Sequence, residues 1–350
     1  MIYILCIVIA SVCAVIAGKY NSRKALFLTA FVLSLFCGLR ATEVGVDTSN
    51  YYIFLLYIRE RGIGYGSDIG FSIVSYFLMG ILKNPHKTLL VYAFITNFFI
   101  IYRLWDFKEK ASFSVMVLTY TIVHYPYTFN IVRQFLAISI AFWATRYLER
   151  DKYFKYVLLN MIAASCHTSA LVCFSYLFVK RGFGMGKNKL RYLGFGLGIV
   201  FVFVGLFMFS TNAQKYEQYF VQISGGNIHA MTILKLSFVL LVVFSNRALR
   251  SPVFSRSTTG EYVPMNKEVI TVYLLGLFLA GLGMFFTYMN RIGFYFLMYE
   301  MPFWGQAVRA GINKGIYRLL IAAVLIYVLV TMLMLDTSGL INYITYLEME

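Results

Sequence analysis

Five residues of this chain have types suited to chemistry and stand where such types are costly: Arg40, Asp47, Arg133, His167 and Arg291. Arg40 closes an apolar run in "GLRATEVGVDTSNYY", and Asp47 follows seven residues later, beyond Gly45. Arg133 and His167 lie inside apolar runs of the stretch "FNIVRQFLAISIAFWATRYLERDKYFKYVLLNMIAASCHTSALV", residues 129–172. Arg291 stands in "TYMNRIGFYF", with Tyr295 one helical turn on. A charge at the centre of a bilayer costs at least ~2.5–3.5 kcal/mol on insertion scales. Guanidinium groups hold anions with a rigid fork of donors. A carboxylate or a neutral imidazole accepts protons. Each residue also has an ordinary reading. Arg40 reads as an interfacial side chain reaching for water, and Asp47 as a turn or cap residue. Arg133 reads as the partner of a structural carbonyl. His167, beside Ser165, Thr168 and Ser169, reads as a satisfied core histidine. Arg291 reads as a boundary anchor. The functional case rests on their coincidence on one side of the membrane.

The elements that must position these groups follow from composition. Of 350 residues, 60% are hydrophobic and only 13% are charged. Long apolar runs separated by short basic loops read as an all-α, polytopic helical membrane protein. No long polar region exists to form a second domain, so residues 1–350 read as one transmembrane domain. The net charge of +16 resides mostly in short loops, as the positive-inside rule expects. It implies anionic lipid headgroups as partners. No basic block with interleaved aromatics points to nucleic acid. Cys6, Cys13, Cys37, Cys166 and Cys173 all lie in apolar runs without a CxxC pair, so neither a metal nor a cofactor is expected. The first run, "MIYILCIVIASVCAVIAG", has its positive charges after it, and reads as an uncleaved span with an outer N-terminus. The glycine-rich "GFGMGK" at 182–187 lacks the P-loop pattern and reads as a cytoplasmic turn. The aromatics, 18% of the chain, read mainly as interface belt and packing.

About ten full spans are expected, near 1–18, 25–40, 88–104, 113–129, 131–148, 192–210, 230–246, 269–289, 292–308 and 319–335. Basic residues place the 19–24, 146–155, 180–191, 247–268 and 309–318 loops inside, and the 41–68 loop outside. One apolar run, 156–179, then joins two inside loops, and a second parity conflict lies between 41–68 and the basic 103–110 loop. Two partial segments resolve both; the alternative makes both runs full spans, giving twelve crossings with two basic loops outside and Arg133 inside. Segment 69–82 is 14 residues, or ~21 Å of helix, too short for a ~30 Å core. Run 156–179 breaks near His167 and returns as two half-helices, which requires a protein or aqueous lining. Two further charges read differently. Lys235 lies near a span end and reads as reaching for the interface. Glu300 lies deep in 292–308 and needs a partner, and Arg291 is too distant on the same helix to supply it.

Four of these stretches also carry a family likeness. "GLR…GVDTSNYY", "IVRQFLAISI", "Y…IAASCHTSAL" and "NRIGFYF", in that order, resemble the EpsG/Wzy-type polysaccharide polymerases of O-antigen or capsule repeat units. The likeness is spread over most of residues 1–308, and Cys166 stands where an aromatic is common. The resemblance implies a metal-independent glycosyltransferase of the bacterial cytoplasmic (inner) membrane with a GT-C-like fold and its site facing the exterior. It implies transfer of a growing glycan from undecaprenyl diphosphate to a new lipid-linked repeat unit, with a chain-length regulator and a flippase as further partners. Arg40, Arg133 and Arg291 would then bind diphosphate, and Asp47 or His167 would take the acceptor's proton. No nucleophile motif points to a covalent intermediate, so direct displacement with inversion is the simpler reading. Two other classes fit the same residues. A lipid-linked oligosaccharide flippase would also hold diphosphate with arginines, and a membrane O-acyltransferase would use a buried histidine.

Overall fold

The computed structural model describes residues 2–65, 68–184, 235, 254–256, 262–283, 287–310, 314–336 and 338–348. The expected spans 192–210 and 230–246 lie outside the described residues, apart from Lys235. The chain begins with α1 (Ile2–Tyr20), α2 (Arg23–Gly38), α3 (Thr48–Arg61), α4 (Ile69–Leu82) and α5 (Pro85–Trp105). α6 (Phe113–Thr119), a π-turn (Tyr120–His124), α7 (Tyr127–Asn130) and α8 (Val132–Glu149) follow. Next come α9 (Tyr153–Cys166), a 3-10 stretch (Thr168–Phe174) and α10 (Ser175–Gly184). After a two-stranded antiparallel hairpin, β1 (Phe254–Arg256) with β2 (Tyr262–Pro264), the described chain ends in four helices. These are α11 (Lys267–Leu282), α12 (Thr287–Leu297), α13 (Glu300–Ala310) and α14 (Lys314–Leu335). Among the described residues the architecture is thus helical apart from that hairpin and one bridge, Arg40 to Thr345.

Local signals account for several helix starts. Ser22, Asn84 and Asn266 each accept a backbone N–H of the first turn from their side chains. Pro85 opens α5, where its missing N–H costs nothing. The π-turn precedes Pro126, which cannot donate into the helix, and Tyr125 N reaches back five residues to Tyr120 O at 2.8 Å. Pro302 acts likewise on the expected 292–308 span. A helical Pro302 has no N–H for the Met298 carbonyl and its ring crowds it, so the rod breaks at 298–299 into α12 and α13.

Most rods run between two ends of the bundle. One end gathers Lys108 with Asn21, Arg309 with Lys108 O, and Arg146 with Asp106 (2.9 Å). Buried Arg103 is ion-paired there to Glu149 and Asp106. The opposite end gathers Arg40, Asp68, Arg133 and His167. By length and apolarity, Ile2–Tyr20 and Pro85–Trp105 qualify as membrane spans among the described residues, and Ile69–Leu82, Phe113–His124 and Ile321–Met334 are shorter apolar stretches.

The 156–179 run departs from a straight rod in the way its flanking charges imply. α9 ends at His167, whose backbone is extended at φ −159°, ψ 118°. The chain then turns back. Lys180, late in α10, donates to Glu149 O at 3.2 Å and lies 3.7 Å from Asp151, beside the start of α9. His167 is therefore the tip of a helical hairpin that leaves and re-enters at one end. α4 is also short, and its last turn packs Met79 on Thr88 and Leu89 of α5.

Besides the broken 292–308 span, three further expectations need correction. The 41–68 stretch is more than a loop, because it folds α3. The 269–289 span ends at Leu282, and α12 begins at Thr287. Lys235 does not reach for the interface; it is buried and donates to Glu300 at 2.9 Å.

Packing is closest where glycines allow it. A Cβ on Gly38 would lie 2.7 Å from the Leu90 Cα, so α2 and α5 meet backbone to backbone. Gly38→Ala is expected to force these helices apart and cost about 1–3 kcal/mol. A thermal midpoint in detergent equal to that of the unaltered protein would contradict the contact.

Candidate functional site

The site is built around Asp68, which sits in the connection ahead of α4. Its Oδ2 lies 3.0 Å from Nη1 of Arg133 and 3.2 Å from Nδ1 of His167. Arg133 comes from the first turn of α8 and His167 from the break after α9, so three separate elements converge. The Asp68 side chain is 8% exposed, His167 21% and Arg133 33%, so the carboxylate is covered while its partners stay open on one side. Burial alone would raise the Asp68 carboxyl. The His167 hydrogen bond, the charges of His167 and Arg133, and the Thr168 N–H outweigh it and hold the group below the usual carboxylate range.

Further groups frame this centre. The Tyr51 hydroxyl of α3 meets the Arg133 backbone N–H at 3.4 Å, and its ring centroid lies 6.0 Å from the guanidinium carbon. Ser169 and Tyr295 share a hydrogen bond of 3.0 Å, which ties the segment after His167 to α12. Tyr176 donates to the Tyr295 carbonyl at 2.9 Å. Arg291 lies on the same helix, one turn before Tyr295, and its carbonyl accepts from Nε2 of Gln134, the residue after Arg133, at 2.7 Å.

Of the five residues singled out in the sequence, Arg133 and His167 meet on Asp68, and Arg291 stands on the neighbouring helix. Arg291 is half-buried, and its guanidinium makes no ion pair among the described residues. Arg40 is placed elsewhere. It is 1% exposed, and all three nitrogens donate to protein: Nε to Thr48 Oγ1 (2.9 Å), Nη2 to Phe129 O (3.1 Å), and Nη1 to Cys37 O. In this arrangement Arg40 fastens α2, α3 and the end of α7 together. Asp47 occupies the N-cap position of α3, with Asn50 3.4 Å away, one turn before Tyr51.

The Arg40 region is also where residues 338–348 cross the bundle end. Ala41 N donates to Ile344 O (2.9 Å), Gly45 N to Gly339 O (2.9 Å) and Tyr346 N to Leu39 O (3.0 Å). Asn130, three residues before Arg133, links both layers. It donates to Ser338 O at 3.2 Å and accepts from Val46 N at 2.7 Å. Gly45 has φ +88°, and a Cβ there would lie 2.9 Å from Asn130 Oδ1, so this turn requires glycine.

Sequence reasoning missed Asp68, Tyr51 and Ser169 as members of the centre. Asp68 had one usable signal, an acid directly ahead of a helix too short to span. Glu300 receives the partners it requires: Lys235 at 2.9 Å, His124 Nε2 at 3.2 Å and Trp304 Nε1 at 3.4 Å. Among the described residues no group of three or more His, Cys, Asp or Glu side chains gathers to hold a metal ion.

The model of the EpsG family matches residues 23–346. No curated protein and no solved structure matches the chain.

Proposed function

We propose that this chain, which belongs to the EpsG family of Wzy-type polysaccharide polymerases, lengthens a surface glycan at the Asp68–Arg133–His167 centre. The family supports a membrane protein with a glycosyltransferase-like role in polysaccharide biosynthesis. In the reading proposed here, the donor is a glycan on undecaprenyl diphosphate and the acceptor is a sugar hydroxyl of a new lipid-linked repeat unit. The observation that carries it is the Asp68 carboxylate held between a guanidinium and an imidazole at a break in the helix.

The chemistry follows from the groups. The acceptor oxygen attacks C1 of the donor sugar as the C1–O bond breaks, and the electron pair leaves with the diphosphate. Arg133 and Arg291 stabilise that growing negative charge, because guanidinium donors match phosphate oxygens. The acceptor's proton passes to Nε2 of His167. Asp68 accepts from Nδ1–H and so selects the tautomer that leaves Nε2 free to take it. Arg40 keeps the loop and α3 in place in this scheme, and Asp47 is the rival base. Inversion at C1 follows from direct displacement.

The deciding experiment supplies purified protein with lipid-linked repeat units in detergent. Longer glycans on lipid carrier support a polymerase. Unchanged ligand would favour a flippase, and sugar acylated once an activated acyl donor is added would favour an acyltransferase. Arg133→Lys is expected to reduce lengthening by about 10–100-fold at normal protein level, since an ammonium cannot reproduce the fork. Near-normal chain length would remove the guanidinium from the reading.

We also propose that the Asp68 end faces the exterior. The five cysteines are buried, and a cysteine-free background makes the test clean. Val46 is 63% exposed and Arg150 is exposed at the other end. An impermeant thiol reagent added to intact cells should label Val46→Cys and spare Arg150→Cys. The reverse pattern would invert the proposed orientation.

A further inference from the structure

Two adjacent residues on α8 face different neighbours. Arg133 reaches Asp68, while Gln134, ~100° further round the helix, grips the carbonyl of Arg291 on α12. We propose that Gln134 is a positioning residue, which holds Arg291 beside Arg133 so that both guanidinium groups meet one diphosphate. This rests on the reading of Arg291 as a diphosphate-binding group.

Gln134 is 3% exposed, and its Nε2 lies 2.7 Å from Arg291 O. A carbonyl only accepts, so the amide must present its nitrogen to α12. Its Oε1 is then buried with no hydrogen-bond partner among the described residues. A packing role alone would favour Met or Leu, which fill the same space without an unpaired buried oxygen. The retained amide points to a role for its donor.

The rest of α12 is already fixed by other means. Gly293 lets it close on α11, where a Cβ would lie 3.3 Å from Ala280 N. Phe294 packs on Tyr127 and Phe135 at centroid distances of 4.7 and 6.0 Å. Those contacts set the helix against its neighbours. Ser169 and Tyr176 make polar links to Tyr295, whereas the Gln134 bond joins α8 to α12 at the residue that carries the guanidinium. Because Gln134 follows Arg133 directly, any shift of α8 moves both anion-holding groups together.

The test is a double-mutant cycle read as the affinity of purified protein for undecaprenyl diphosphate, with the thermal midpoint measured in parallel. Gln134→Met is expected to weaken binding about 10-fold in the unaltered background. In an Arg291→Ala background it is expected to change nothing, because the group it positions is gone. Thermal midpoints within the Gln134→Met pair should stay together. Equal weakening in both backgrounds would overturn the inference, since a purely structural effect adds independently. Arg291→Ala binding as tightly as the unaltered protein would overturn it through its premise, by removing Arg291 from the diphosphate site. Polymerisation in the separate assay would be untouched by that outcome. Gln134→Leu, a second apolar filling, runs alongside so that a folding failure of one variant leaves the cycle complete.

Discussion

Purified His167→Gln is expected to keep its fold and its affinity for lipid-linked substrate while losing turnover by about 10²–10⁴-fold. Glutamine has similar bulk and can still donate toward Asp68, but it has no imidazole lone pair to take the acceptor's proton. The prediction draws on two observations. Nδ1 is occupied by Asp68 at 3.2 Å, and the ring is partly open where the hairpin turns. Asp47→Asn, made in parallel, should retain most turnover. Retained turnover in His167→Gln with normal protein level would make the histidine a structural hydrogen-bonder. Loss of turnover in Asp47→Asn alone would move the base to α3.

Asp68→Asn is expected to lose turnover on the same scale, about 10²–10⁴-fold, because an amide no longer fixes the imidazole tautomer. The double variant Asp68→Asn/His167→Gln should be little worse than either single one, as groups acting as a unit are not additive. Asp68 also leaves a signature in stability. Its carboxyl is held below the usual range in the folded protein, so the unfolded chain binds the proton more readily. Its contribution is therefore complete above the ordinary carboxylate value of ~3.9 and is lost as pH falls through the lowered value. The thermal midpoint of the unaltered protein should exceed that of Asp68→Asn at pH 7 and 5, and the gap should narrow toward pH 3. A gap that widens on acidification would show that the carboxylate is not stabilised by its two partners.

The hairpin at His167 was legible because two basic loops flank one apolar run, and a return keeps both on the same side. α4 was legible from length alone. Asp68 was not, since its partners lie 65 and 99 residues away, and nothing local marks an acid that will be drawn inward. Asp47 competed for attention because it sits in a recognisable stretch. α3 was hidden by its mixed composition, "TSNYYIFLLYIRER", whose buried positions are few: Thr48, Leu55 and Ile58. The break at 298–299 had a signal in Pro302, masked by the apolar residues around it. Arg40 shows the converse limit. Its position at a span end is equally consistent with gripping a ligand and gripping the protein. Only the three acceptors around its guanidinium separate the two.

The crossing of residues 338–348 over the Arg40 region sets a timetable for biogenesis. The 39–46 turn is among the first parts of the chain to leave the ribosome, yet the carbonyls it needs belong to Gly339 and Ile344. Arg40 must wait about 300 residues for its bridge partner, Thr345. At ~5–20 residues per second, that is roughly 15–60 s of translation. During this interval the turn and Asn130 beside it lack their final hydrogen-bond partners. The end of the bundle carrying Arg133 is therefore among the last to set, after the intervening rods have entered the bilayer. A chain released early would carry Arg133 and His167 without this frame.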